Sequence, residues 1–289
     1  MYLLAKWESS LMTKSETVNR PSITAVIIAK DEAKMIINCI DTLNWCDEVL
    51  VVDCASSDDT AKLAETAGVR VVGFSHKSMA KTRNEALKMV KTDWVLYVDA
   101  DERIAPTLAK EILVQLETSN AVALKFPRQN VHYGRIMLHG GWNQDYVTRA
   151  FEKSKFIQWY GDIHESPKFK GEEVELNSPL IHLTHRNTLD GLKKTISWTP
   201  IEAELLSKAN TKPVNLGTLL RKGMMEFLRR GILKQGYKDG AEGWIEALVQ
   251  GINRILVYIQ LWEHQRSPSL DETYQQIEQK ISRMWRDEK

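Results

Sequence analysis

At 289 residues, with 39 Lys and Arg against 38 Asp and Glu, the chain has a formal net charge of +1 and lacks the basic excess of a general nucleic-acid binder. Its 43% apolar and 27% charged content excludes a disordered chain and supplies material for a large buried core. Three cysteines, Cys39, Cys46 and Cys54, form no C-x-x-C pair and read as buried, inert thiols in a reducing compartment.

Residues 1–20 are mixed in character and interrupted by Lys6 and Glu8. They predict a weakly ordered extension without the layout of a signal peptide. From Ile23 the text changes. ITAVIIA is a short, almost unbroken apolar run of the kind a strand buried on both faces requires. KDEAKMIINCIDTL follows with helical spacing, then a second buried strand, EVLVVD, and a helix closed by Gly68. VRVVGF, SMAKTRNEALKMV and DWVLYVDADE repeat the alternation as strand, helix and strand. Such a succession predicts an α/β fold with a mostly parallel sheet, all of whose C-terminal strand ends share one ligand-binding edge. Beyond Pro106 come a helix, a strand-like AVALKFPR, a Gly- and aromatic-rich stretch, and two strand-like segments, VTRAFE and FIQWYGDIHE. The chain is helical from Leu189, with Pro200, Pro213, Gly236 and Gly240 as punctuation. The division expected is an extension over 1–20, an α/β catalytic domain over 21–188 and a helical region over 189–289.

Asp99-Ala100-Asp101 closes the fourth strand. Two carboxylates at a buried strand end are costly unless a cation or hydrogen-bond donors meet them. Mg²⁺ or Mn²⁺ answers that need and leaves positions open for phosphate oxygens; a solvated acidic turn capping the next helix is the competing reading. Asp53, ending the second strand, can accept from a base N–H or a ribose hydroxyl, or simply form a turn. Asp31 and Glu32, past the first strand, pose the same choice. The first turn, AKDEAK, holds no glycine. That excludes a G-x-G-x-x-G dinucleotide site and a Walker loop, and points to a nucleotide held by side chains and a metal.

VIIAKDEA, WCDEVLVVDCASSDDT and AKTRNEALKMVKTDWVLYVDADERI together resemble the start of family 2 glycosyltransferases of the Rossmann-like GT-A fold. GGWNQDYVTRAF, WYGDIHE, IHLTH and FLRRGILKQGYKDGAEGWIEALVQGINRILVYIQLWE resemble the lipopolysaccharide-core glucosyltransferase branch, so the resemblance spans about residues 22–265. It implies an inverting transferase that uses a nucleotide-activated hexose, typically UDP-linked, and a divalent metal. By the same resemblance Ala29 and Glu32 belong to the nucleotide pocket and Asp53 recognises the base. Asp99 faces the ribose or donor sugar, Asp101 binds the metal, and Lys81 and Arg83 face the diphosphate. Cys54 and Asp31 depart from the residues common there. His182 falls where some members add a histidine to the metal site, a satisfied structural histidine being the alternative. The acceptor hydroxyl must lose a proton as it attacks, so a carboxylate must lie within reach. Glu165, beside His164, is the preferred base because it closes an apolar strand, and Asp145 is the second candidate. Asp145 would otherwise orient the donor sugar with Arg149.

Residues 212–238 hold seven Lys and Arg against the single acid Glu226. Leu216, Leu220, Met224 and Phe227 share one helical face, which suits either packing or an anionic membrane interface. The most apolar stretch, residues 255–262, is far short of the roughly 20 residues of a spanning helix. The expectation is a cytoplasmic, peripheral protein at the inner face of the cytoplasmic membrane, serving a glycolipid acceptor. The competing classes are a sugar-phosphate nucleotidyltransferase, which would want a Gly-rich loop, and a non-catalytic membrane-surface protein, which would leave the acidic strand ends without purpose.

Overall fold

The computed structural model describes residues 20–287 apart from 75, 77, 144, 162–164 and 210. The expected N-terminal extension, Arg20 excepted, lies outside the described residues. Strand β1 (Ile23–Ala29) is buried along its whole length. Helix α1 (Ile36–Asp41), strand β2 (Glu48–Asp53), helix α2 (Thr60–Thr66), strand β3 (Arg70–Gly73), helix α3 (Met79–Met89) and strand β4 (Trp94–Asp99) follow in the predicted alternation. β1 lies between β2 and β4, parallel to both, and β3 adds outside β2. Alternate β1 side chains serve two cores: Ile23, Ala25 and Ile27 face one, Val26 and Ile28 the other. A strand covered on both sides has no solvent face to supply with polar residues, which explains the unbroken apolar run.

The chain continues through β5 (Glu102–Ile104), α4 (Pro106–Thr118), β6 (Ala123–His132), β7 (Arg135–Ile136), β8 (Tyr146–Glu152), β9 (Phe156–Tyr160), β10 (Ser166–Phe169), β11 (Glu173–Glu175) and β12 (Leu180–Leu183). The path through the larger sheet is β3-β2-β1-β4-β8-β6-β12-β5, with β7 and β11 pairing β6 at its margins. β8 enters antiparallel between β4 and β6, Leu96 opposite Ala150 and Leu124 opposite Ala150 on the other side. The fold is therefore mixed α/β, with a parallel half carrying the strand ends and an antiparallel insertion beside it. Tyr97, Phe151, Phe156 and Trp159 pack as one aromatic cluster where β9 lies against the sheet, Tyr97 and Trp159 edge-on at 5.3 Å. Edge-to-face contacts of this kind add about 0.5–1.5 kcal/mol per pair beyond area burial.

The helical part comprises α5 (Thr188–Lys208), α6 (Leu216–Leu228), a π-helical turn over Arg229–Leu233, a 3₁₀ turn over Gly236–Asp239, α7 (Gly240–His264) and α8 (Leu270–Asp287). Asn187 and Asn215 cap α5 and α6 by accepting from the backbone N–H groups of Asp190 and Thr218. Pro200 sits inside α5 instead of ending it. The buried face of Thr195, Thr199 and Ala203 is held against α7, where Thr195 donates to Asn253 Oδ1 at 2.8 Å. Packing of that face offsets the roughly 3 kcal/mol an interior proline costs. α6 and α7 approach closely because Gly223 and Gly251 meet at their contact: a methyl group on Gly251 would stand 3.1 Å from the Gly223 carbonyl oxygen.

Candidate active site

Parallel register sets the strand ends in line. Ala29 pairs with Asp53, and Ile28 with Asp99, so the tips of β1, β2 and β4 meet at one edge. The loop after β1 is braced by Asp31, whose backbone is left-handed (φ +56°) and whose Oδ1 accepts from Ser57 N at 2.6 Å and Ser57 Oγ at 2.9 Å. Asp and Asn tolerate that conformation better than most residues. Glu32 donates its backbone N–H to Thr60 Oγ1 at 2.8 Å. Burial, then the negative charge of Asp101, pushes its carboxyl up to about 7. Asp53 Oδ2 accepts from Ser56 N at 3.2 Å, whereas Oδ1 is buried and meets no hydrogen-bond donor among the described residues.

The two acids at the tip of β4 have different surroundings. Asp99 accepts from Arg149 through Oδ2 and from Arg83 through Oδ1, the latter at 3.3 Å. Burial alone would raise its pKa, but the two guanidinium groups outweigh burial and hold it at about 2. Arg149 also reaches Glu102 Oε1 at 3.0 Å, and Glu102 Oε2 accepts from the Asp99 backbone N–H at 2.9 Å. Arg83 in turn lies 3.3 Å from Glu165 Oε2 and over the Trp159 ring. Asp101 instead meets His182 Nε2 at 3.3 Å and Lys194 Nζ at 3.2 Å.

Hydrogen bonding settles the His182 tautomer. Asn130 Nδ2 donates to Asp145 Oδ2 at 2.9 Å, so its Oδ1 is the atom 2.7 Å from His182 Nδ1 and accepts from it. In the neutral ring Nε2 therefore offers a lone pair towards the Asp101 carboxylate. Two acceptors 3.3 Å apart are eased by a cation or by a proton on the ring, and Lys194 already brings its ammonium to the same Asp101 oxygen, at 3.2 Å, where a divalent ion would share or take its place. Mg²⁺ takes carboxylate and water oxygens, and Mn²⁺ accepts imidazole as well, so this donor set fits the divalent ion expected from the sequence.

These groups open on a cleft of about 1070 Å³ walled by the sheet edge on one side and by α5, α6 and α7 on the other. Glu32, Arg83, Asp99, Asp101, Arg149, Glu165 and His182 all line it. Ala29, Asp53, Lys81 and Asp145 do not. Ala29 is a packing position whose carbonyl accepts from Cys54 N at 2.8 Å. Lys81 is exposed on α3. Asp145 is held behind the wall, its Oδ2 accepting from Arg128 Nε at 2.8 Å and from Asn130. His164 lies outside the described residues. Lys194, Glu102, Arg128 and Asn130 were not singled out in the sequence. Glu102 alone left a signal there, as a third acid directly after Asp99-Ala100-Asp101.

Residues 24–172 match the family described as Glycosyl transferase family 2. An uncharacterized glycosyltransferase of Rickettsia prowazekii is 38% identical over 250 residues, which cover 81% of this chain and 84% of that one. The lipopolysaccharide core biosynthesis glycosyltransferase LpsC of Rhizobium meliloti is 32% identical over 99 residues, 32% of this chain and 36% of the other. Among solved structures, glucosyl-3-phosphoglycerate synthase of Mycobacterium tuberculosis, in complex with Mn²⁺, UDP-glucose and glycerol 3-phosphate, aligns with 46% of this chain and 57% of that chain, at a TM-score of 0.37 and 21% identity.

Proposed function

Because the chain belongs to glycosyl transferase family 2, we propose that it is an inverting, metal-dependent hexosyltransferase working from a UDP-sugar. Its acceptor is a lipid-linked saccharide of the lipopolysaccharide-core or polyprenyl-linked kind. The observation that carries this reading is the 3.3 Å approach of His182 Nε2 to Asp101 at the mouth of the cleft. Asp101 and His182 would hold Mg²⁺ or Mn²⁺. Such an ion supplies Lewis-acid stabilisation of the charge that develops on departing UDP.

The chain's own groups do the rest. Asp53, at the end of β2 beside the cleft, recognises the base once its carboxylate turns out from the buried position it holds here. Asp99, fixed by two arginines, is a preset acceptor for hydroxyls of the ribose or donor sugar. Glu32, Ala29 and Lys81 complete the nucleotide side, Ala29 by packing and Lys81 by charge. Glu165 lines the cleft and takes the proton from the acceptor hydroxyl as that oxygen attacks the anomeric carbon. Asp145 has its Oδ2 engaged by Arg128 and Asn130 and serves as a positioning residue for His182 through Asn130.

In this reading residues 21–188 are the catalytic domain, and residues 189–289 face an anionic membrane surface at the cytoplasmic side. Leu216, Leu220 and Met224 on α6 are 70%, 60% and 57% exposed, and Leu233 in the turn that follows is 77% exposed, whereas Phe227 at the end of the stripe packs against Trp244. Arg229 and Arg230 both pair with Glu226 and Lys222 lies over the Tyr258 ring, so Lys212, Arg221, Lys234 and Lys238 are the ones proposed to meet lipid headgroups. At about 1 kcal/mol per basic residue, screened by salt, they contribute a few kcal/mol. Among the described residues no helix is long and apolar enough to cross a membrane. The acceptor class also rests on the partial likeness to LpsC.

The test is UDP release from UDP-hexoses with Mn²⁺ or Mg²⁺ and a lipid-linked acceptor. Asp101→Ala should lower turnover at least about a hundredfold, the scale of losing several kcal/mol of charge stabilisation. Unchanged turnover would remove the metal assignment.

A further inference from the structure

A second cluster of metal-ligand chemistry lies apart from the Asp101–His182 pair. His132 ends β6, His185 follows β12, and Glu246 sits on α7. His132 and Glu246 are 0% and 1% exposed. Three ligand atoms converge: His185 Nδ1 is 3.1 Å from His132 Nδ1, His132 Nδ1 is 3.2 Å from Glu246 Oε2, and His185 Nδ1 is 3.6 Å from the same oxygen. Ligands held about 2.0–2.1 Å from a tetrahedral ion stand roughly 3.3–3.4 Å apart, and the three edges bracket that separation.

Charge makes the same demand. Among the described residues no lysine or arginine pairs with Glu246; two imidazoles and the Gln250 amide approach it. A carboxylate withdrawn from water needs a positive charge beside it, and a divalent ion shared with the two imidazoles would supply one. Glu246 Oε1 is occupied by Gln250 Nε2 at 2.8 Å, while Oε2 is buried without a well-formed hydrogen bond. Gln250 thereby turns Oε2 towards the imidazoles, as partners of ligating carboxylates do. The backbone bends to the same end. His185 and Tyr133, the residue after His132, both have left-handed backbones at φ +43° and +51°, conformations that non-glycine residues hold only where the surroundings enforce them.

We propose that His132, His185 and Glu246 form a divalent metal site of the zinc type, separate from the donor-binding metal and joining β6, the segment after β12 and α7. Two imidazoles and one carboxylate suit Zn²⁺ and are poor in the oxygens that Mg²⁺ and Ca²⁺ prefer. His185 and Gln250 line the cleft, so water has access to the fourth position. The ion fastens the helical wall of the cleft to the sheet.

The experiment uses the full chain, stripped with chelator and titrated with Co²⁺ alone, then with Zn²⁺ as competitor. The wild type and Asp101→Asn should each show the visible bands of one tetrahedral Co(II), and one equivalent of Zn²⁺ should bleach them. Glu246→Gln and His185→Asn should lose the bands and bind Zn²⁺ at least a hundredfold more weakly. Absence of such bands in both the wild type and Asp101→Asn overturns the proposal, whatever the folding of the other variants. So do bands that vanish in Asp101→Asn yet persist in Glu246→Gln or His185→Asn.

Discussion

Arg149→Met removes the guanidinium that joins Asp99 to Glu102 at the wall of the cleft. Arg149 and Glu102 have side chains 7% and 0% exposed, so Glu102 is left buried with less to balance it. Breaking a buried pair from one side costs about 3–5 kcal/mol. Two neighbours soften the loss: Arg128 Nη1 is 3.6 Å from Glu102, and Arg83 Nη2 is 3.3 Å from Asp99. The expected cost is therefore near the lower limit, about 3 kcal/mol, a large share of a total stability of roughly 5–15 kcal/mol. Urea denaturation of the wild type, Arg149→Met, Glu102→Gln and the double variant measures it. Because Glu102→Gln removes the stranded charge, the double variant should lose less than the two singles combined. A cost below about 1 kcal/mol for Arg149→Met, or strict additivity, would refute the reasoning that the network is held by desolvated charge.

A methyl group on Gly243 would stand 1.9 Å from the Gly236 carbonyl oxygen. Overpacking of about 1–3 kcal/mol, here at its upper end, should outweigh the ~1 kcal/mol of helix propensity that Ala gains over Gly; a higher melting temperature for Gly243→Ala would contradict the close approach. Burial pushes the Glu226 carboxyl up, but hydrogen bonds from Arg229 and Arg230 outweigh it and leave its pKa below the usual 4.5. Its contribution to stability is thus full above pH 4.5 and is lost as pH falls through the lower folded value, so Glu226→Gln should flatten the acid limb of a stability–pH curve. Burial raises all three thiols, Cys39 to about 12. At pH 8 the folded protein should take up no alkylating reagent and the denatured chain three equivalents, one for each of its three cysteines; rapid labelling of the native state would show a thiolate the packing does not allow.

The parallel half of the fold was legible because burial on both faces writes itself as unbroken apolar runs, as in β1 and β4. The edge where Asp53, Asp99 and Asp101 gather followed from right-handed crossovers alone. What lay hidden was non-local. Nothing in VTRAFE says that it pairs antiparallel with β4 and β6 at once. Arg149 reads there as a partner of Asp145 in orienting the donor sugar, and only its 3.0 Å contact with Glu102 across the sheet shows why it is buried. His132, His185 and Glu246 come from two strand ends and a helix face, with no spacing to announce them. Pro200 misled because a local rule was overridden by the α5–α7 contact. The Lys194 ammonium beside Asp101 was invisible for a similar reason, since it depends on how α5 is laid across the sheet edge.

The central claim is that the tip of β4 holds an ion together with the diphosphate of a nucleotide-sugar. A crystal structure of the protein with Mn²⁺ and UDP tests it most directly. The account predicts an anomalous peak beside Asp101 and His182, with the nucleotide bound next to it and its base beside Asp53. An ion and nucleotide bound away from those three side chains would contradict it.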